Sequence, residues 1–183
     1  MIKFEKVSAF KDVDFNLPMR KTAQSAGYDF EVAQDTIVPP FEAMYNKLCD
    51  HMVSSNEENT PITLEDIAKY TKTTGTKLTL VPTGVKCYLE PDTYLELSMR
   101  SSTPLKHWLV MGNAIGIIDA DYADNPSNEG MIYFQVINLS PFPIKLKKGD
   151  IIGQGIIHKY ETTDNDTAAG NRVGGFGSTS NKL

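Results

Sequence analysis

A repeated alternation of short strand-forming runs and turn residues most constrains the fold of this chain. Runs rich in Val, Ile, Leu, Tyr and Phe recur along the sequence, and Gly, Pro, Asn and Asp interrupt them at intervals of about ten residues. This spacing is typical of an all-β sandwich, barrel or jelly roll. Turn chemistry also predicts a β-hairpin in GVKCYLEPDTYLELSM, turning at Pro91 and Asp92, and a tight turn at residues 147–150.

One segment departs from this alternation. EAMYNKLCDHMV has apolar residues near helical spacing, and TPITLEDIAKYTK predicts a second helix with Thr63 as its N-cap and Asp66 three residues on. Its predicted inner stripe consists of Leu64, Ile67, Ala68 and Thr71. A helical pair between two strands predicts an insertion over about residues 43–76. We interpret the insertion as a packed surface excursion, with a docking surface for another protein chain as the alternative.

Length and local composition predict one domain followed by an arm. The chain has 183 residues, enough for one domain with its own core. Its last segment, ETTDNDTAAGNRVGGFGSTSNKL, is almost free of apolar residues. We therefore predict a folded domain over residues 1–160 and a flexible C-terminal arm over residues 161–183.

Cysteine, histidine and hydropathy patterns exclude several classes of protein. Two cysteines, Cys49 and Cys87, are too few for a disulfide framework, so we expect a reducing, cytoplasmic location. The three histidines are scattered outside any zinc-binding motif, so no dedicated zinc site is expected. The sequence has neither an apolar run of about 18 residues nor a secretory N-terminal pattern, and we expect no membrane partner.

The distribution of cations indicates phosphate recognition more than nucleic-acid binding. A net charge of −5 argues against a nucleic-acid partner, which needs a basic face. Only three of the 18 basic residues are arginines, and two of them, Arg100 and Arg172, lie in segments rich in Ser and Gly. The planar guanidinium fork suits phosphate, and nearby hydroxyl and backbone N–H groups add further donors.

The segment GNAIGIIDADYADN, residues 112–125, has the strongest chemical pattern. Asp119 and Asp121 follow an apolar strand, and Tyr122 comes next. An acid at the end of a buried strand can take a proton from water if its surroundings keep it ionised. The tyrosine offers a flat face for a sugar or a base. The alternative is a hairpin in which the Asp and Asn residues only form turns.

Three weaker segments accompany it. In MRSSTPLKH, Arg100, Ser101 and Ser102 place a cation and two hydroxyls at a strand end, a favourable arrangement for holding phosphate. SAGYDF contributes Asp29 and KKGDIIGQ contributes Gln154. Taken individually, these last two segments have a structural interpretation.

Taken together and in order, these segments resemble a known enzyme family. SAGYDF, MRSST, GNAIGIIDADY, GDIIGQ and RVGGFGSTS are similar to the five ordered motifs of the trimeric dUTP diphosphatases, or dUTPases. The resemblance extends from about Ala26 to Ser180 and leaves only the helical insertion without a counterpart. It implies a distorted jelly-roll-like β-barrel, a homotrimer with active sites shared between subunits, and Mg²⁺ as the cofactor that accompanies dUTP.

The resemblance also implies a role for each matching residue. Asp119 would deprotonate the water that attacks the α-phosphorus and would contact the sugar 3′-hydroxyl. Tyr122 would stack under the deoxyribose and exclude a 2′-hydroxyl. Asp29 would support the site or the water shell of the metal. The uracil would be read by Asn113 and the adjacent hairpin backbone, which includes Gly116 and Ile118.

The remaining implied contacts concern the phosphates and the lid. Arg100, Ser101, Ser102 and Gln154 would hold the phosphates from a neighbouring subunit. Arg172 would bind the γ-phosphate, and Phe176 would lie over the uracil, followed in the same motif by Gly177 and Ser178.

The motifs depart from the family pattern at several positions. Met99 stands where proline is usual, Ala123 replaces a glycine, and NPSNEG lengthens the turn that follows. Arg172 lies four residues before Phe176 where five is usual, and Ser180 replaces a glycine. The shifted spacing makes the assignment of Phe176 firmer than that of Arg172.

Two alternatives accompany this interpretation. A dCTP deaminase shares the fold but uses a glutamate on the strand after the third motif, where this chain has Gln135, which is neither an acid nor a base at neutral pH. A regulatory protein on the same scaffold would bind a partner through the insertion. The catalytic set is complete, so we expect any such binding in addition to catalysis.

Overall fold

The computed structural model describes residues 1–56, 60–170, 172 and 175. Within them, eleven strands, three α-helices and a 3₁₀ turn at Ser8–Phe10 alternate with loops. The strands are β1 (Lys3–Lys6), β2 (Tyr28–Glu31), β3 (Thr36–Val38), β4 (Thr79–Pro82), β5 (Val85–Tyr88), β6 (Thr93–Ser98), β7 (Leu109–Met111), β8 (Gly116–Asp119), β9 (Tyr133–Asn138), β10 (Ile144–Leu146) and β11 (Ile151–Lys159). The helices are α1 (Phe41–Ser55), α2 (Leu64–Thr74) and α3 (Ser102–His107).

The strands form four small antiparallel sheets, which confirms the predicted all-β, jelly-roll-like class. One sheet has the order β2-β11-β6-β8 and another β4-β9-β7, and two pairs, β1-β5 and β3-β10, complete the set. The predicted hairpin is wrong in its pairing. The chain does turn at Pro91 and Asp92, but β5 pairs with β1, while β6 pairs with β11 and β8. Turn residues specify that a chain reverses, whereas long-range partners decide which strands pair.

The core lies between the sheets and is built by strict alternation along β6 and β9. In both strands every second side chain is buried, as expected when one face of a strand packs on a core. Phe30 of β2 and Phe134 of β9 are fully buried and meet edge to face, with ring centroids 5.8 Å apart. These contacts join the two larger sheets.

The insertion is helical, as predicted, and α1 begins two residues before the predicted boundary. At α2, the Thr63 hydroxyl accepts a hydrogen bond from the Asp66 N–H, and the Asp66 carboxylate accepts one from the Thr63 N–H. This capping box and the left-handed Gly75 at the other end fix both helix termini. The predicted inner stripe is wrong at Leu64 and Ala68, which are exposed because α2 is covered on one side only.

Neither α1 nor α2 contributes a buried residue to the core. The helices pack mainly on each other, with His51 and Tyr70 in edge-to-face contact at 5.4 Å. In the described part of the chain, no helix has both the length and the apolar character needed to cross a bilayer.

Gly153 of β11 lies at a close approach between the two larger sheets. A Cβ atom at this position would lie 2.2 Å from Phe134 Cε1 and 2.7 Å from the Ser98 carbonyl oxygen. Both neighbours belong to the core or to a paired strand, so neither can move away easily. The glycine lets β11 pass between β6 and the ring of Phe134.

We predict that Gly153→Ala lowers the free energy of unfolding by about 1–3 kcal/mol, because the added methyl overpacks a closed contact. Chemical denaturation with urea measures this change. Gly170→Ala is the matched control, since a Cβ there meets nothing within 4 Å, and its midpoint should be unchanged. Equal midpoints for Gly153→Ala and the original chain would contradict the prediction.

Candidate functional site

Two acidic residues meet at the end of β8. Asp119 is the last residue of β8 and pairs with Tyr94 on β6. The Tyr122 N–H donates to the Asp119 carbonyl at 3.1 Å, and this turn brings Asp121 beside Asp119. The buried residues of β6 anchor the strand, while the carboxylate of Asp119 remains half exposed.

Arg172 contacts both of these carboxylates. Its Nε donates to Asp121 Oδ1 at 2.7 Å, and its Nη2 donates to Asp119 Oδ2. The guanidinium carbon also lies 5.8 Å from the centre of the Tyr122 ring. Desolvation lowers the pKa of Arg172, but the hydrogen bond to Asp121 and the charges of both carboxylates raise it more, so its pKa lies above its ordinary value. The guanidinium is therefore a permanent cation at the site.

A cleft of about 510 Å³ opens beside these charged groups. Its walls come from the end of β5, the turn after β8 and the residue after β11, and its lining residues are Leu89, Pro91, Asp119, Ala120, Asp121, Tyr160 and Arg172. A slightly larger cleft, about 570 Å³, lies beside α3 and β10, but none of the predicted site residues line it. We assign the site to the smaller cleft because a carboxylate, a cation and open space meet there.

A second cluster of polar side chains, here called the Arg100 group, lies where β6 ends. Arg100 Nε is 3.3 Å from Asp29 Oδ1 on β2, and Gln154 of β11 pairs with both Asp29 and Ser98. The Gln154 amide donates to the Ser98 hydroxyl at 3.4 Å. Asp29 is buried, and its Oδ2 atom has no hydrogen-bond partner among the residues that the structure describes. Its other oxygen orients Arg100, which is half exposed.

Ser101 and Ser102 begin α3 rather than continuing a strand. Ser101 is the N-cap residue of α3 and is exposed, and Ser102 is half-buried. This helix was not expected from the sequence. Its first turn contains Pro104, which is compatible with a helix start because the first N–H groups lack intrahelical partners. Arg100, Ser101 and Ser102 thus lie at a strand–helix junction.

The structure does not bring these two polar groups together within one chain. Asp119 lies opposite Tyr94, whereas Gln154 lies opposite Ser98, at the other end of β6. Four residues of extended strand separate these positions by about 13 Å, and Arg100 lies further along. One chain therefore holds the acidic site and the Arg100 group at opposite ends of the same sheet.

The predicted base-reading residues lie in and after the β7–β8 turn. Asn113 is exposed there, and Ala114 adopts a left-handed conformation with φ 58°. Gly116 is buried against Leu97, where a Cβ atom would approach the Leu97 Cβ to 3.1 Å. Ile118 is half-buried on β8. Gln135, the position that distinguishes the deaminases, accepts the Gly112 N–H through its carbonyl at 2.9 Å.

Tyr122 is buried beneath residues of the C-terminal segment. Its exposed fraction is 5%, and Gly175 lies so close that a Cβ on that glycine would be 2.8 Å from the ring. Burial raises the pKa of Tyr122, while a hydrogen bond from Asn128 and the charge of Arg172 lower it by less. The phenol therefore stays protonated at neutral pH. Phe176, Gly177 and Ser178, also predicted here, lie outside the described residues.

The loop after Tyr122 contains an ionic cluster that sequence reasoning missed. The Lys86 ammonium, on a buried side chain of β5, donates to Asp124 Oδ1 at 2.5 Å and to Glu129 Oε1 at 2.8 Å. Glu129 also accepts from the Ser8 N–H and hydroxyl. The only signal in the sequence was a lysine between two apolar residues of a short strand, VKCY.

These contacts change the titration of both partners. Hydrogen bonds from Lys86 and Ser8 lower the pKa of Glu129 to about 2. Desolvation lowers the pKa of Lys86, but its hydrogen bonds to Asp124 and Glu129 raise it more, and the net pKa lies well above the ordinary lysine value. The cluster is ionised throughout the physiological pH range.

Comparisons with known proteins agree on one family. The chain matches the family model for dUTPase over residues 66–180. It is 32% identical over 178 residues to the deoxyuridine 5′-triphosphate nucleotidohydrolase of Lactococcus lactis subsp. lactis (strain IL1403), covering 96% of this chain and 95% of that protein.

Two solved structures extend the comparison to the fold. The crystal structure of the dUTPase from Streptococcus mutans superimposes with a TM-score of 0.65 at 31% identity, covering 88% of this chain and 98% of that one. A mutant dUTPase from phage phi11 of S. aureus, in which a structural Mg(II) ion is coordinated, superimposes with a TM-score of 0.57 at 14% identity. It covers 92% of this chain and 96% of that one, and at this identity it supports the fold alone.

We predict that acid weakens the fold through Glu129. Its folded pKa is depressed, so its stabilising effect is complete above the unfolded value of about 4.3 and is lost as pH falls towards 2. Glu129→Gln should therefore flatten the fall in melting temperature between these pH values. Thermal melts across that range measure the effect, with Glu161→Gln as the control on an exposed carboxylate. Parallel curves for Glu129→Gln and the original chain would rule out this role.

Proposed function

The chain belongs to the dUTPase family and hydrolyses dUTP to dUMP and pyrophosphate, and we propose that this reaction takes place at the cleft formed by Asp119, Asp121 and Arg172. The observation that carries the assignment is the half-exposed Asp119 carboxylate at the end of β8, facing open space and a cation. Hydrolysis of a phosphoanhydride needs positioning of a water and neutralisation of charge more than covalent chemistry. The cleft supplies groups for both.

We propose that Asp119 is the general base. β8 fixes its backbone by pairing with β6, so the carboxylate has a defined position at the mouth of the cleft. A carboxylate held in this way orients an attacking water and takes its proton as the bond to phosphorus forms. A second contact with the sugar 3′-hydroxyl would align the nucleotide with that water.

The nucleoside would be recognised by the hairpin and by Tyr122. Asn113 and the backbone around Gly116 and Ile118 offer amide donors and acceptors in a turn whose residues are exposed. Tyr122 follows Asp119 closely enough for its ring to lie beside a sugar held by that carboxylate. A ring under the deoxyribose leaves no space for a 2′-hydroxyl.

The phosphate-binding group would come from a neighbouring subunit. Arg100, Ser101, Ser102 and Gln154 lie at the opposite end of β6 from Asp119, separated from it by about 13 Å or more of extended strand. A closed homotrimer solves this problem, because each interface places one end of the sheet against the other end of the next copy. We therefore propose a trimer with three shared active sites.

The donor set fits Mg²⁺ held mainly by the substrate. Within the described residues, no group of three or more His, Cys, Asp or Glu side chains could hold a metal ion by itself. Mg²⁺ prefers phosphate oxygens and water and needs few protein ligands. The unpartnered Asp29 Oδ2 beside Arg100 is a suitable acceptor for a metal-bound water. When bound, Mg²⁺ supplies charge neutralisation at the phosphates.

Arg172 can bind either the carboxylates of the cleft or the phosphates of the substrate. In the free chain it binds Asp119 and Asp121, and a triphosphate entering the cleft offers a higher negative charge to the same guanidinium. We propose that Arg172 moves to the phosphates on substrate binding, which frees Asp119 to act on water. This role requires no rearrangement of the barrel.

Two further predictions remain proposals. Both cysteines are free thiols, Cys87 buried and Cys49 half-buried, in keeping with the cytoplasmic location that we propose. A protein partner at the insertion stays a hypothesis that deletion of the helices and binding assays would address.

We predict that Asp119→Asn lowers kcat for dUTP by about 10²–10⁴-fold, because asparagine keeps the shape but cannot accept the proton of water. Binding of a non-hydrolysable dUTP analogue should remain measurable by calorimetry. Asp92→Asn changes a carboxylate on a nearby exposed turn and is the matched control with normal turnover. A rate within twofold of the original enzyme would show that another group is the base.

We predict that two inactive variants restore activity when they share a trimer. Asp119→Asn removes the base and Arg100→Gln removes the phosphate contact, so each is inactive alone. Isolated mixed trimers should regain about a third of the original activity, because one intact site of three forms in each mixed ring. Co-expression with two affinity tags isolates these mixed trimers.

The same two variants purified separately and mixed without subunit exchange are the control and should stay inactive. Isolated mixed trimers with no activity would contradict the shared site. A monomer in solution, by mass, would contradict the trimer itself.

A further inference from the structure

The hydroxyl of Tyr122 is held on two sides. It donates to the Met131 carbonyl oxygen at 3.1 Å and accepts a hydrogen bond from Asn128 Nδ2 at 2.8 Å. Burial around the ring leaves no water to replace either partner freely. Both contacts come from the loop that follows Tyr122 itself, the stretch that lengthens the turn relative to the family pattern.

Asn128 is itself fixed. Its Oδ1 atom accepts from Asn125 Nδ2 at 2.7 Å and from the Gly130 N–H at 3.1 Å. Asn125 is buried, and its Nδ2 also donates to the Tyr122 carbonyl oxygen at 2.9 Å. An amide whose oxygen accepts two hydrogen bonds has one orientation, so its NH₂ group points at the phenol.

The ends of the loop are clamped by charge. Lys86 binds Asp124 near the start of the loop and Glu129 near its end, and the Asp124 N–H donates to the Glu129 carbonyl oxygen at 3.2 Å. Asp124 and Glu129 adopt left-handed conformations with φ 57° and 60°. These conformations are unfavourable for side chains with a Cβ and persist where surrounding contacts impose them. The loop is therefore a rigid support.

We propose that Asn128 is the positioning residue that fixes the Tyr122 ring and thereby sets the preference for deoxyribonucleotide over ribonucleotide. The inference rests on the proposed role of Tyr122 beneath the sugar. The position of the ring matters because a ribonucleotide differs from a deoxyribonucleotide only by its 2′-hydroxyl. The site rejects that hydroxyl only if the ring below the sugar cannot move away. The Asn128 and Met131 contacts at the hydroxyl, at the far end of the side chain from its Cα, prevent rotation and withdrawal of the ring.

These polar contacts also explain how the lengthened loop keeps a single conformation. Asn125 alone accepts from the Ser127 N–H and hydroxyl and from the Asn128 N–H. Each such bond replaces one that water would otherwise make, so the loop keeps one conformation. The support for Tyr122 is thus built from the residues that follow it in sequence.

The test compares kcat/KM for dUTP and UTP. Asn128→Ala should lower the ratio of the two values about tenfold, mainly by admitting UTP, while kcat for dUTP falls by less. Tyr122→Phe removes the same hydrogen bond by deleting its acceptor, the phenol hydroxyl, and should lower the ratio to a similar extent. In the double variant the two changes should add only in part, because both remove the hydrogen bond between Asn128 and Tyr122.

The matched control is Asn56→Ala. Asn56 also donates a side-chain amide hydrogen bond to a backbone carbonyl, that of Thr60 at 2.8 Å, but it lies in the insertion. Its variant should keep the original ratio. Thermal melts of all variants separate a loss of fold from a change in selectivity.

An unchanged ratio in a folded Asn128→Ala variant, or fully additive effects in the double variant, would overturn the inference. If Asn128→Ala does not fold, Tyr122→Phe decides alone, and an unchanged ratio there has the same consequence. These outcomes leave dUTP hydrolysis by the original chain intact. Absence of that hydrolysis would instead overturn the proposed function and, with it, this inference.

Discussion

The pairing of β6 with β11 on one side and β8 on the other is the constraint on which the site depends. It places Asp119 opposite Tyr94 at one end of the sheet and Gln154 opposite Ser98 at the other. Because paired strands cannot slip without turning every buried residue outward, the two ends stay about 13 Å or more apart. The acidic cleft and the Arg100 group are therefore fixed as two halves of a site that neighbouring copies would complete.

Charge is distributed between these halves in a way that suits a triphosphate. In the free chain, Arg172 forms ion pairs with the two carboxylates of the cleft, and Asp29 orients Arg100 at the other end. Each arginine thus has a carboxylate partner before any phosphate binds. A triphosphate competes with these partners through charge alone, which is compatible with an enzyme that must bind and release an anion in every cycle.

The helical insertion and the barrel are nearly independent. The helices bury no residue in the core, whereas the loop after Tyr122 is tied to β5 by a buried lysine. The insertion and the lengthened loop therefore differ in their physical effect. The insertion adds a surface element, and the loop holds the hydroxyl of Tyr122.

The sequence by itself determined the class of fold, the helical insertion with its Thr63 cap, and the family, because periodicity, caps and ordered motifs are local patterns. The hairpin predicted between β5 and β6 was wrong, and neither α3 nor the Lys86 cluster was predicted from the sequence. Strand pairing and buried ion pairs join residues far apart in sequence, so local pattern does not contain them. Only the tertiary structure decided that Arg172 binds Asp119, whereas Arg100 lies at the other end of the sheet. It also decided that Asn128 donates a hydrogen bond to the Tyr122 hydroxyl.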